Sequence, residues 1–446
     1  MRLILRIFGQ PPAGPRRAML LRRLTAVCGL LLMAATWRLW TPQDVFPQVP
    51  LLAIGAAVPP VWQWLGAAGM VAGLALAALA PQTGPWAPRG LLLFAASAAA
   101  MIVLDTQRLQ PWAYQTMIVA LVLALAESRA AIALLRLFVV SFYIHSAISK
   151  FDYTFLHTLG QQFLAVLAAS CGLVLKDWSD GTRLAAAAVF PAVELAVPLG
   201  LCFPRTRRVA LAGAILLHVV LLWILGPWGL DQKLGVLLWN VSFMAQDILL
   251  FSSVRWLGSP LAPAPAETSA VDGPAPRAPR ALQGLVWAVV CLPLLQPSTW
   301  YDSWPSWALY APHCERVALF VHRRALDDLN PALKPYLEQP ADALDPWLAL
   351  RLDRWCLEAL AAPIYPQCRT QLGVAEAAVT RDVLASRVRI VRFELADRLT
   401  GARQHDVLTG LPQFQSAAGE YFFNARARSW LVPRAPPAES AAHENP

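Results

Sequence analysis

Apolar residues along this chain gather into runs of near-bilayer length, broken by short polar loops. A helix needs about 20 apolar residues to cross the ~30 Å hydrocarbon core. The pattern predicts nine spans, at roughly 19–40, 58–79, 90–106, 112–127, 130–149, 184–203, 208–226, 233–252 and 282–297. A further apolar stretch, Gln161 to Leu175, is about 15 residues long and short for a crossing.

The basic residues orient these segments. With the N-terminus inside, the inner loops hold Arg2, Arg6, Arg16, Arg17, Arg22, Arg23, Arg89, Arg129, Arg205, Arg207, Arg208, Arg255, Arg277 and Arg280, while the outer loops hold only Arg108, Lys150, Lys176, Arg183 and Lys233. If 161–175 crossed, Arg205, Arg207 and Arg208 would land outside. It is therefore expected to lie in plane or re-enter on the outer face. Arginines before the first apolar run resemble a signal peptide, but Arg38 and Trp40 at its far end favour an uncleaved span.

The pattern changes after Gln296. Glu315 to His322 and Arg387 to Asp397 alternate as strands, Leu344 to Ala361 has helical spacing, and Leu399 to Ala402 forms a turn. The expected fold is an all-α polytopic membrane bundle with a small C-terminal α+β domain. Residues 1–252 carry eight spans and the in-plane segment, 253–281 form a Pro/Ala-rich inner-face linker, and 282–297 form the last span. An extracytoplasmic domain over 298–435 and a disordered tail over 436–446 complete the chain.

Composition agrees: 57% of residues are hydrophobic and 15% charged, against roughly 25% charged in soluble domains. The net charge of +9 sits in membrane-flanking loops, so it implies no nucleic-acid partner. The seven cysteines contain no CxxC pair. Cys28, Cys202 and Cys291 fall in spans, and Cys314, Cys356 and Cys368 leave one disulfide of unreadable pairing open. No histidine spacing suits a metal.

Polar residues at membrane depth carry the candidate chemistry. Lys150 ends the fifth span in FYIHSAISKFDY, residues 142–153, with Asp152 two residues on. It is either an interfacial anchor with its ammonium in the headgroups or a functional group. His145, five residues earlier, lies about 140° away around the helix. Glu194, between Pro191 and Pro198, and His218 sit at similar depth on adjacent antiparallel spans, which predicts an interhelical pair. Asn240 suits interhelical hydrogen bonding, Asp247 a helix end, and Arg136 an anchor.

Four segments resemble the horizontally transferred transmembrane (HTTM) family, which includes the vitamin K-dependent gamma-carboxylases, and more remotely the lipase maturation factors and DoxX/MauE-like proteins. They are FYIHSAISKFDYTFLHTLGQQFL (142–164), FPAVELAVPLGLCFPRTRRVALAGAILLHVVLLWILG (190–226), DTQRLQPWAY (105–114) and YDSWPSWALYAPHCERVALFVH (301–322). The likeness covers residues 100 to 325 and lies in the order of the motifs. The chain departs where the carboxylases carry Asn-His before Ser-Tyr: here Pro111-Trp112 precede Ala113-Tyr114.

The resemblance implies a quinone- or lipid-linked membrane enzyme with Lys150 as general base and Asp152 and His145 as companions. It implies an outer-leaflet cavity bordered by Lys150, Asp152, Asp105, Arg108, Tyr114 and the 161–175 segment. A non-catalytic assembly or maturation factor that binds an exported protein is the alternative, and a transporter the third. The lack of a detectable internal repeat weighs against the last.

Overall fold

The computed structural model describes every residue except 2, 3, 5, 6, 9–14, 82, 83, 253–276, 343, 380–386 and 429–446. The expected linker, apart from 277–281, and the expected disordered tail lie outside the described residues.

Eight described helices are long and apolar enough to cross a membrane, as in a multi-pass integral membrane protein. They are α1 (Pro15–Ala35), α2 (Pro60–Leu79), α3 (Trp86–Leu104), α5 (Ser128–Ile148), α8 (Asp180–Cys202), α9 (Arg207–Leu225), α10 (Leu234–Phe251) and α11 (Arg280–Cys291), which runs on as a tighter turn to Ser298. Between them lie α4 (Pro111–Leu125), α6 (Tyr153–His157) and α7 (Leu159–Ser170). At 1.5 Å per residue α7, the expected in-plane segment, is only about 18 Å long, and α4 about 22 Å. The first predicted span is broken: Thr36 interrupts it, its hydroxyl donating to Leu32 O (2.7 Å) and accepting from Trp40 Nε1 (3.0 Å).

Helix α5 is the axis of the bundle, 83% buried where the other seven are 28–44% buried. Helices α1, α4, α8, α10 and α11 all pack against it. On the flank, α2 and α3 meet at Gly73 and Gly90. A Cβ on Gly73 would stand 2.6 Å from Gly90 O, and one on Gly90 would stand 2.5 Å from Gly73 O. Membrane helices gain little from hydrophobicity against each other, so this backbone approach supplies the packing.

The C-terminal region forms a five-stranded antiparallel sheet in the order β2-β3-β1-β4-β5, with β1 Arg316–His322, β2 Leu337–Glu338, β3 Trp347–Leu350, β4 Val388–Phe393 and β5 His405–Thr409. In β1, Val317, Leu319 and Val321 alternate inward, and Leu319 faces Leu350 on one side and Ile390 on the other. Helix α12 is Leu352–Leu360, α13 is Cys368–Val379 and α14 is Leu411–Ala418, and α13 covers β1 and β4. The stretch 344–361, expected to be helical, is β3 followed by α12: Trp347 to Leu350 alternate half-buried and buried beside β1 before the helix begins. All seven cysteines are free thiols, so the three in this region form no disulfide. Cys356 and Cys368 instead lie against the carbonyls of Ala362 and Arg316.

The sheet region is tied to the bundle by Trp355 Nε1 to Val45 O (3.1 Å) and Asn424 Nδ2 to Pro50 O (2.9 Å). Asp302, just past α11, accepts from Nη1 and Nη2 of Arg369 and from Tyr365 Oη (2.6 Å).

The α2/α3 contact yields a test. Gly90→Val should cost about 1–3 kcal/mol by overpacking, read as a lower melting temperature in detergent. Gly284→Ala, whose new Cβ meets nothing within 4 Å, should leave the melt unchanged.

Candidate functional site

Tyr143, Ser146 and Lys150 are spaced i, i+3 and i+7 and so share one face of α5. The helix ends at Ile148, and the N–H groups of Ser149 and Lys150 close its last turn on His145 O and Ala147 O, both at 3.0 Å. The Lys150 side chain folds back along the helix. Its Nζ donates to Ser146 O (3.0 Å), to Ser146 Oγ (2.7 Å) and to both carboxylate oxygens of Glu194 (3.0 Å each). Only 5% of Lys150 is exposed. That removes the anchor alternative, because a snorkelling lysine keeps its ammonium in water or headgroups.

Glu194 comes from α8, where Pro191 and Pro198 interrupt the hydrogen-bond ladder. Pro198 has no N–H for the carbonyl four residues back, which is that of Glu194, so the helix is loosened where it delivers its acid.

A cavity of about 60 Å³ opens beside the pair. Phe142, Phe155, Phe163 and Phe190 give it an apolar wall drawn from α5, α6, α7 and α8. Trp239 of α10 adds an indole held by Gln115 Oε1 at 2.6 Å, and Leu309 and Tyr310, beyond α11, complete the enclosure. Behind this wall Trp307 is fully buried, its ring 4.7 Å from that of Phe142.

A second polar chain reaches the same cavity. Tyr143 Oη lies 2.6 Å from Asp247 Oδ2 and 2.7 Å from His218 Nε2, and His218 Nδ1 lies 3.0 Å from Asn240 Oδ1. Tyr143, His218 and Asn240 line the cavity with Lys150 and Glu194, whereas Asp247 lies behind it with no exposed surface.

Several expected assignments are corrected. Asp152 is not beside the Lys150 ammonium: it caps α6, accepting from Phe155 N (2.7 Å) and Thr154 Oγ1 (2.6 Å), and meets His313 Nδ1 (2.7 Å) from the C-terminal region. Adjacency in sequence misled here because the chain turns between the two residues. His145 points to Val290 O (2.9 Å) on α11 and does not line the cavity. Asp105 caps a short turn through Gln107 N (3.2 Å), and burial pushes its carboxyl up to about 6 despite the nearby Arg108. Arg108, fully buried, donates to Leu39 O (2.8 Å) and Gln63 Oε1 (2.5 Å). Tyr114 lies one layer out, against Trp307 (ring centroids 5.2 Å apart) and Tyr301 Oη (3.3 Å). These three residues brace loops and do not border the cavity.

Glu194 and His218 do share the cavity, but each has a different partner, Lys150 for one and Tyr143 with Asn240 for the other. Asp247, one turn before the end of α10, is fully buried and takes a hydrogen bond from Tyr143. Arg136 is 1% exposed and donates from Nε to Leu250 O (2.9 Å), so it is no anchor either. Sequence reasoning missed Tyr143 and Ser146, although their i, i+3, i+7 spacing with Lys150 was available. It also missed Leu309 and Tyr310, which carry no periodic signal.

Comparison with protein families, curated proteins and solved structures gives no match to this chain.

Burial raises the Asp152 carboxyl, but the donors His313, Thr154 and Phe155 N outweigh it and hold the group below the usual carboxylate range. Its contribution is therefore full above the unfolded-state value of about 3.9 and is lost as pH falls through the lower folded value. Asp152→Asn should cost about 1–3 kcal/mol near neutral pH. The gap to the wild type should close on acidification below about pH 4, measured by denaturant unfolding at the two pH values.

Proposed function

We propose that this chain is a nine-span membrane protein that performs proton-transfer chemistry on a quinone- or lipid-class substrate held beside Lys150. The single observation that carries this reading is the buried Lys150–Glu194 pair on the wall of an aromatic cavity. A ring-bearing apolar molecule suits the phenylalanine and tryptophan walls, and its hydroxyl suits the one ammonium–carboxylate pair.

Lysine acts as a base only when neutral. In an apolar site the ion pair can discharge internally: the ammonium proton passes 3.0 Å to Glu194, leaving amine and carboxylic acid. The substrate hydroxyl then gives its proton to Nζ. The outcome is an ammonium, a protonated Glu194 and a substrate oxyanion, with the net charge unchanged. Glu194 takes the companion role that the likeness to the HTTM family suggested for Asp152, and the carboxylase-like ancestry enters through Lys150 alone.

Arginine cannot act in this way, because guanidinium stays protonated at any accessible pH. Lys150→Arg should preserve expression and insertion yet fail to complement a deletion strain. Full rescue would favour the assembly-factor reading. Native mass spectrometry of the wild-type protein in mild detergent should show a bound quinone or lipid, and Leu217→Trp, which fills the cavity, should lose it.

The arginine asymmetry supports an inward N-terminus and an outward C-terminal domain, with α4 as the short ninth span. A reporter fused after Ser298 should be active only outside and one fused at Pro263 only inside. Finding both on one side would remove the nine-span topology.

A further inference from the structure

Asn240 has its orientation fixed by its own helix: Nδ2 donates to Val236 O at 2.9 Å, so Oδ1 faces His218. An amide oxygen only accepts, so His218 Nδ1 must carry a proton. Nε2 is then the variable nitrogen, and it meets Tyr143 Oη at 2.7 Å. The same hydroxyl meets Asp247 Oδ2 at 2.6 Å. Asp247 Oδ1 is buried without a hydrogen-bond partner, and the carboxyl has no exposed surface. A carboxylate so placed keeps one donor for two oxygens in a desolvated site, which favours the neutral acid.

Both protonation patterns of this chain fit the same heavy-atom positions. In one, Asp247 is a carboxylate accepting from Tyr143, and His218 is an imidazolium donating to Tyr143. In the other, Asp247 donates from Oδ2 to the Tyr143 oxygen, Tyr143 donates to Nε2, and the imidazole is neutral. Passing from the first to the second, the Nε2 proton moves to the Tyr143 oxygen while the tyrosine's own proton moves to Asp247. One N–H and one O–H bond break, two O–H bonds form, and opposite charges on His218 and Asp247 cancel.

We propose that Asp247, Tyr143 and His218 form a proton relay opening into the Lys150–Glu194 cavity, with protonated Asp247 as its store and Asn240 as the positioning residue that sets its direction. The proposal deepens the proton-transfer reading of that cavity and rests on it for its purpose. His218 and Tyr143 exchange protons with a hydroxyl or carbonyl held there, and Asp247 replenishes them from behind the wall. The other ionisable groups facing the chain are Lys150, Glu194 and Tyr310 across the cavity. Beyond Asp247 on α10, Arg17 and Arg136 hold the carbonyls of Leu249, Ser252 and Leu250, and among the described residues neither pairs with Asp247.

The test needs no substrate, so the relay stands or falls apart from whether Lys150 is a base. Infrared spectra of the full-length protein in lipid bilayers near neutral pH should show a protonated-carboxyl C=O band that disappears in Asp247→Asn. Nitrogen-15 spectra of histidine-labelled protein, with His218 assigned by the loss of its signals in His218→Gln, should show a protonated Nδ1. After transfer to deuterium oxide the Asp247 band should shift quickly in the wild type and at least tenfold more slowly in Tyr143→Phe. Leu217→Trp, which narrows the cavity and leaves the relay residues unsubstituted, should slow the shift likewise and serves if Tyr143→Phe does not fold. Absence of the band, a bare Nδ1, or equal deuteration rates in the wild type and the variants would each overturn the relay.

Discussion

Two opposite charges 3.0 Å apart inside an apolar bundle hold α8 to the end of α5. Desolvating an ammonium and a carboxylate costs several kcal/mol per ion, and mutual attraction offsets that only with good geometry and satisfied remaining donors. Both conditions hold: Lys150 reaches both oxygens of Glu194, and the Ser146 carbonyl and hydroxyl take up its other hydrogens. The arrangement requires α5 at the centre, α8 beside it, and a turn after Ile148 that sends the lysine back along its own helix.

The turn beyond Lys150 links the bundle to the C-terminal region. Asp152 meets His313, Tyr153 N donates to Arg398 O at 2.8 Å, and Arg398 in turn donates to Ile148 O. The last turn of α5 is thus clasped by the sheet region. Leu309 and Tyr310 close the cavity from the stretch leading into β1. The C-terminal region therefore contacts both the turn that carries the lysine and the enclosure of the cavity.

The bundle was legible because apolar runs of bilayer length have few alternatives, and strand β1 because it alternates cleanly, whereas β4 alternates only over Val388 to Ile390 before two buried residues adjoin. The 344–361 stretch was misjudged since a four-residue strand beside β1 is set by its partner's register and not by local periodicity. Among site residues, Lys150, Glu194 and His218 were found through the cost of burying ionisable groups. Their pairing was not, because which acid meets Lys150 depends on how α8 packs against α5. Asp152 shows the limit: nearness along the chain predicted companionship, and a single turn placed its carboxyl on His313 and the start of α6. Tyr143 escaped notice because a tyrosine in a membrane helix raises no such alarm.

The cavity is assembled from distant parts of the chain, and this bears on how the protein is made. Lys150 precedes its counter-charge by 44 residues, and Tyr310 follows only after the last apolar helix. During synthesis α5 emerges carrying a tyrosine, a serine and a lysine on one face with no helix yet present to receive them. Exposing the lysine on that face to hydrocarbon is costly. Helix α5 gains its polar partners only when α8 and α10, with α9 between them, have joined it.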